Sequence, residues 1–283
     1  MSWLVLSLIA LFCFVIYDVS GRYFATRSEN PQVFSVIYNA TLVLLSPLIF
    51  LVDHTMPGQI NWPIVGVTSL GLLVWGVFGR YEYFAKKHVE ASTLSIVGKL
   101  DIILNFCLVL IFLKESLTLH KILGMVLIIT VNIILFYGNA RKSIISDKGL
   151  KYAIILSFLL ALGWLFDTIN VKSWGVGTFA ILTFVSPVVI GCFFPTIHLK
   201  QLKRELVLTP YWQFVALASA NFVGYALMLK ALTFGPASNV MPIVTSGSPF
   251  IVLLGYLFLG EKDHPYRKLV AASLSVLAIY LMR

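Results

Sequence analysis

Two charges, Lys99 and Asp101, interrupt the stretch ASTLSIVGKLDIILNFCLVLIFLKE (residues 91–115), which is otherwise long and apolar enough to cross a bilayer. A charge at the centre of a spanning helix costs at least about 2.5–3.5 kcal/mol on insertion scales, so both should face a bundle interior or a wet cavity. Residues two apart on a helix point roughly 200° apart, so the two charges do not pair with each other. Lys99 shares a side with Ser92 and Ser95, and Asp101 shares one with Asn105. Each needs a partner from another helix, and for Lys99 the candidates are Asp18 and Asp167. A lysine in such a place can meet a carboxylate, and an aspartate can meet an amine or take up a proton. The bland alternative is an interhelical salt bridge that binds nothing. Asp18, Asp167 and Asp101 are the carboxylates whose placement suits proton handling.

The elements that must position these groups are spanning helices. Charged residues make up only 12% of the 283, against about 25% in soluble domains, and the mean hydropathy is +0.92. Apolar runs of crossing length repeat with short polar breaks, which predicts an all-α polytopic membrane protein. Ten helices are expected, near residues 3–23, 33–52, 63–85, 91–113, 119–138, 150–173, 178–197, 211–234, 237–258 and 265–282. Pro31, Pro63, Pro210, Pro236 and Pro265 mark helix starts, where a missing N–H costs nothing, and Thr118 suits an N-cap. The opening MSWLVLSLIALFCFVIYDVSG has neither a basic leader nor a small-x-small cleavage site, and reads as a retained first span. Loops are expected only at 53–61, 139–149 and 198–209.

The charged stretch has a weak copy 146 residues later, ASNVMPIVTSGSPFIVLLGYLFLGE (237–261). AS…FLKE matches AS…FLGE without a gap, and the copy carries Thr245 and Gly247 in place of Lys99 and Asp101. VIYD, ending at Asp18, likewise resembles WLFD, ending at Asp167. The chain therefore divides into 1–138 and 150–283, five helices each, joined by 139–149. Because five is odd, the second half crosses in the opposite sense, giving two inverted-topology repeats. Pro242 and Pro249 flank Ser246–Gly247–Ser248 in the ninth span, and Pro187 and Pro47 interrupt the seventh and second. Such breaks free backbone carbonyls and should face protein or a cavity. Ala216, Ala220 and Gly224 give the eighth span a small-residue face.

Other side chains divide by depth. Trp75, Trp164 and Tyr225 lie inside spans and are candidate cavity-lining residues with Thr245 and Ser246. Trp3, Trp62, Trp174 and Trp212 fall near span ends as interfacial anchors. Arg80, Glu82, Lys86, Lys87 and Lys230 are expected to snorkel to headgroups. About fourteen Lys and Arg lie on the side opposite the termini and five on the termini's own side, so the positive-inside rule puts both termini outside the cytoplasm. The five His are isolated and the three Cys fall within spans, so no metal site, disulfide or enzyme constellation is expected. No cofactor is implied, and scattered cations without a basic block speak against nucleic acid.

Ten helices as five plus five, with FLKES at 112–116 and FLGEK at 258–262, resemble the drug/metabolite transporter superfamily, specifically its EamA family. The resemblance covers nearly the whole chain. It implies a central cavity within spans 1–4 and 6–9, with the fifth and tenth spans outside and available for a homodimer contact. It also implies a membrane transporter of the plasma or bacterial inner membrane that moves a small metabolite or drug by alternating access, often outward. Both termini would then lie in the cytoplasm, against the charge count. Glu115 and Glu261 each end one helix beside the start of the next, where exposed N–H groups favour a carboxylate, so a fold-closing role is expected. The leading expectation is secondary transport of a small polar, amino-acid-like, nucleobase-like or amine-bearing solute, with Lys99 and Asp101 at its site. The other is a membrane-embedded structural, assembly or lipid-handling protein without a cavity.

Overall fold

The structure is a computed structural model describing all residues except Met1, Val52, Met56, Gln59, 90–99, 137–146, 194–197, Ser248, 251–264 and Arg283. Lys99 and Glu261 therefore lie outside the described residues. Regular structure among the rest is helical: α1 (Trp3–Arg27), α2 (Pro31–Leu45, continued by a 3-10 turn Ser46–Leu51), α3 (Trp62–His88), α4 (Leu100–Leu113), α5 (Leu119–Phe136), α6 (Asp147–Trp174), α7 (Val176–Phe193), α8 (Leu199–Leu208), α9 (Tyr211–Phe234), α10 (Ala237–Thr245) and α11 (Pro265–Leu281). Among the described residues five stretches are long and apolar enough to cross a membrane: Trp3–Arg27, Pro31–Phe50, Trp62–His88, Lys151–Trp174 and Tyr211–Phe234. The protein is an all-α polytopic membrane protein.

Local sequence sets the helix ends. Asn30 accepts from the Gln32 and Val33 N–H groups ahead of Pro31, and Asn61 accepts from Ile64 ahead of Pro63. Thr118 Oγ1 accepts from Lys121 N at the start of α5. α10 ends at Thr245, at the interruption expected from Pro249, which has no N–H for the Thr245 carbonyl and whose ring collides with that turn; residues 251–258 of the expected span lie outside the described residues. α8 occupies a stretch expected to be loop. Its alternation of Leu202 and Leu206 with Lys200, Lys203 and Arg204 makes a short amphipathic helix. It is tied to the α1–α2 corner by Glu205, which accepts from Asn30 N at 3.1 Å, and by Arg204 with Glu29.

α1 packs on α9, α3 on α6 and α7, α4 on α6 and α10, and α5 pairs with α11 beside the main bundle. The close approaches use glycine. A Cβ at Gly224 of α9 would lie 2.9 Å from Cys13 Cβ of α1, and one at Gly79 of α3 would lie 2.7 Å from the Pro187 ring of α7. Without a solvophobic force between helices in lipid, such backbone-to-side-chain approach carries much of the association.

Past the end of α2, Asp53 Oδ2 accepts from Lys230 Nζ of α9 at 2.8 Å, and Oδ1 accepts from Thr55 N at 2.9 Å. Lys230 thus reaches a buried carboxylate rather than headgroups. Burial pushes the Asp53 carboxyl up, but the bonds from Lys230 and Thr55 outweigh it and hold the group below its ordinary value. With the folded value below the unfolded one, of about 3.9, the bond's contribution is complete above that pH and is lost as pH falls through the folded value. Melting curves of wild type and Asp53→Asn should differ most at pH 7, with the gap beginning to close below about pH 4 and closing further as pH falls toward the folded value. A gap unchanged at pH 3 would remove the carboxylate from this account.

Candidate functional site

Asp167 is fully buried in α6 (0% exposed). Its Oδ1 accepts from Trp75 Nε1 of α3 at 2.7 Å, and its Oδ2 accepts from Tyr225 Oη of α9 at 3.0 Å. Among the described residues no salt bridge reaches it. A helix from each half thus donates to the carboxylate, and the ring contacts close the group around it. The Trp75 and Trp164 centroids lie 5.1 Å apart edge to face, and Trp75 and Tyr225 6.2 Å apart.

Trp164 joins this cluster to a second group. A crevice of about 150 Å³ between α4, α6 and α10 is lined by Asp101, Ile102, Asn105, Trp164, Met241, Pro242 and Thr245, and none of it is wide enough for a water molecule. Asn105 Nδ2 donates to the Ala161 carbonyl at 3.1 Å. Two polar atoms here, the Trp164 indole N–H and Asn105 Oδ1, are buried and have no hydrogen-bond partner among the described residues. Buried donors and acceptors are nearly always paired, so two open ones on one crevice mark a place where a ligand can complete them. Asp101 is buried there as well.

The structure therefore brings Asp167, Trp75, Trp164 and Tyr225 together, and sets Asp101, Asn105 and Thr245 around the same Trp164. Thr245 Oγ1 bonds back to the Met241 carbonyl and Ser246 Oγ to that of Ile243, satisfying the turn that ends α10; Ser246 is buried but does not line the crevice. Asp18 is elsewhere. Its side chain, nine residues before the end of α1, is 52% exposed and lies 3.5 Å from Lys86 Nζ. Sequence reasoning missed the cluster to which it belongs. Lys86 is largely withdrawn from solvent between α1 and α3, and its ammonium forms an ion pair with Glu82 one turn earlier at 2.8 Å. Tyr17 Oη donates to the same Glu82 at 2.6 Å, while Tyr38 stacks on Tyr17 and accepts from Asn221. The signal was present: Glu82 and Lys86 at i, i+4 in YEYFAK are a ready ion pair.

On the face where α4 ends, Glu115 does not serve the next helix alone. Its Oε1 accepts from Ala237 N at 2.8 Å and its Oε2 from Ser238 N at 3.1 Å, with the Ser238 hydroxyl as a third donor. The carboxylate sits on the N-terminus of α10, 122 residues away in sequence. Lys121 approaches its other side at 3.6 Å.

No curated protein matches the chain in sequence. In fold it is similar to a solved structure described only as "Crystal structure of protein", with a TM-score of 0.73 at 12% identity over 99% of this chain and 97% of that one. The sequence pattern of the EamA-like transporter family matches it twice, over residues 1–137 and 147–283. A polytopic bundle with a buried polar centre and this double match leave one conclusion: the chain belongs to the EamA-like transporter family of the drug/metabolite transporter superfamily, as a multi-pass transporter of a cell membrane.

Proposed function

We propose that the protein is a secondary active transporter of a small polar metabolite. The solute is held where α4, α6 and α10 meet, and moves by rocking of two inverted five-helix repeats, 1–138 and 150–283, about that site. The observation that carries this reading is the pair of unmatched polar atoms on the crevice. The Trp164 N–H offers a donor, Asn105 Oδ1 an acceptor, and Asp101 a carboxylate beside them. A solute bearing both an acceptor and a donor, such as an amino-acid-like or nucleobase-like molecule, completes them. Lys99, two residues before Asp101, supplies the matching cation for a solute carboxylate. The tightness of the crevice fits a closed conformation that opens when the repeats rock. Asp167, next to it through Trp164, is the leading candidate to take up a coupling proton, ahead of Asp101 and the mouth-side Asp18.

The test is solute uptake into proteoliposomes with and without an imposed pH gradient, screened over polar metabolites. For the solute that is carried, Trp164→Phe keeps the ring and removes only the donor. Its half-saturating concentration should rise about tenfold, the worth of one buried hydrogen bond. An unchanged value in a folded variant would remove the crevice from the transport path. A rate indifferent to the pH gradient would reject proton coupling.

A further inference from the structure

The Lys86 ammonium sits in surroundings that a free ammonium ion would also choose. Its nitrogen lies 2.8 Å from Glu82 Oε1 and 3.5 Å from Asp18 Oδ1. It also stands over two aromatic faces, 4.3 Å from the Tyr17 ring centroid and 5.3 Å from that of Tyr83. Two carboxylates and two ring faces around one nitrogen are the elements of a cation-binding cage. The floor is open because residue 21 is glycine: a Cβ there would stand 3.3 Å from Lys86 Nζ. The rings are held in place independently of the lysine. Tyr17 Oη bonds Glu82 at 2.6 Å and lies 3.2 Å from Tyr83 Oη, and Tyr83 is fully buried against Phe34 and Tyr38.

We propose that this cage between the C-terminal halves of α1 and α3 is an ammonium-binding site. In this conformation it is filled by the chain's own Lys86, and it is open to the ammonium group of a small amine when Lys86 withdraws. Three observations favour this over a plain ion pair. The cage carries two carboxylates for one lysine. Its outer wall, Asp18, is half exposed and gives a solute a way in. Its walls come from two helices, with Tyr17, Asp18 and Gly21 on α1 and Glu82 and Tyr83 on α3, so the site parts when those helices separate. A solute amine exchanging with Lys86 would then trade one cation for another without leaving either carboxylate bare. The site is separate from the Trp164 crevice and stands whether or not that crevice binds solute.

The experiment is chemical replacement of the lysine head. Lys86→Ala removes three carbons and the nitrogen, the outline of n-propylammonium. Purified Lys86→Ala in detergent is titrated with n-propylammonium chloride, with n-propanol and potassium chloride as controls, while melting temperature is followed. A saturable rise is expected with the amine alone, with the wild type needing at least about ten times more, and Lys86→Ala/Glu82→Gln should weaken the response about tenfold or more. No saturable response, or one equal to that of wild type or of propanol, would overturn the site and leave a structural ion pair. If Lys86→Ala does not purify folded, purification in the amine decides. Recovery of folded protein with n-propylammonium and not with propanol supports the cage. If neither recovers it, Lys86→Met, which keeps the stem, is titrated with methylammonium under the same criteria.

Discussion

Asp167→Asn should fold and yet transport about 10- to 100-fold more slowly than wild type. The carboxylate accepts one hydrogen bond at each oxygen, from the Trp75 indole and the Tyr225 hydroxyl. Asparagine has nearly the same volume, so the packing among Trp75, Trp164 and Tyr225 survives. One of its two polar atoms is now a donor, however, and it faces a group that was itself donating. The Tyr225 hydroxyl can turn round and accept; the Trp75 N–H cannot. The amide therefore settles into one orientation. A site that must exchange protons or re-form its bonds between two conformations has lost that freedom. A hydrogen bond to a charged group contributes about 1.5–3 kcal/mol, which sets the expected range of rates. The second signature matters more than the first: dependence on an imposed pH gradient should vanish with the titratable group. Proteoliposome flux, normalised to the amount of folded protein, measures both. Wild-type flux with wild-type pH response would make Asp167 a packing residue.

Glu115→Ala should destabilise the protein by about 2–4 kcal/mol, with Glu115→Gln between that and wild type. The arithmetic comes from three donors. The N–H groups of Ala237 and Ser238 and the Ser238 hydroxyl all end on this carboxylate, and both residues are buried. An unmade buried bond costs about 1–3 kcal/mol, and the first N–H groups of a helix have no intrahelical acceptor to fall back on; the Glu115 side chain is partly exposed, so water replaces part of each bond and the low end of about 1 kcal/mol apiece applies. Glutamine can satisfy one N–H with its oxygen, but it turns a donor toward another. Denaturant titration of the detergent-solubilised protein gives the comparison. A loss under about 0.5 kcal/mol would place the carboxylate among ordinary surface groups.

The class of the protein and most of its helix starts were legible in the sequence because lipid leaves so little choice. Long apolar runs must be helices, and Pro31, Pro63, Asn30 and Asn61 stand where those helices begin. The candidate site was legible in part for the same reason. Asp101, Asp167, Asn105 and Trp164 are polar groups inside apolar runs, and each needs company. Which company they keep was not legible. Asp167 is, with Asp18, one of two candidates to pair with Lys99, which lies outside the described residues; its described partners are an indole and a phenol contributed by α3 and α9, fixed by how three helices cross. Glu115 was expected to serve the helix that follows it, and besides meeting Lys121 there it spans 122 residues to α10. Lys86 and Lys230 were read as snorkelling because depth was judged along a single helix. Asp18 and Asp53, the carboxylates contributed by other elements, become visible only once neighbouring helices are in place, whereas Glu82 stands one turn before Lys86 on the same helix. α8 was read as loop because a ten-residue helix with four basic or acidic side chains, Lys200, Lys203, Arg204 and Glu205, is polar on average and apolar only on one side.

The Glu115 clasp also sets an order of events at the ribosome. Its carboxylate enters the bilayer region with the first half of the chain, but the N–H groups that receive it are made 122 residues later. At about 5–20 residues per second the gap lasts roughly 6 to 24 seconds. During that interval Glu115 carries a charge whose permanent hydrogen-bond donors are not yet made, while its ion partner Lys121 follows six residues later. The first half is therefore a waiting state, and the arrival of Ala237 and Ser238 latches the two halves together.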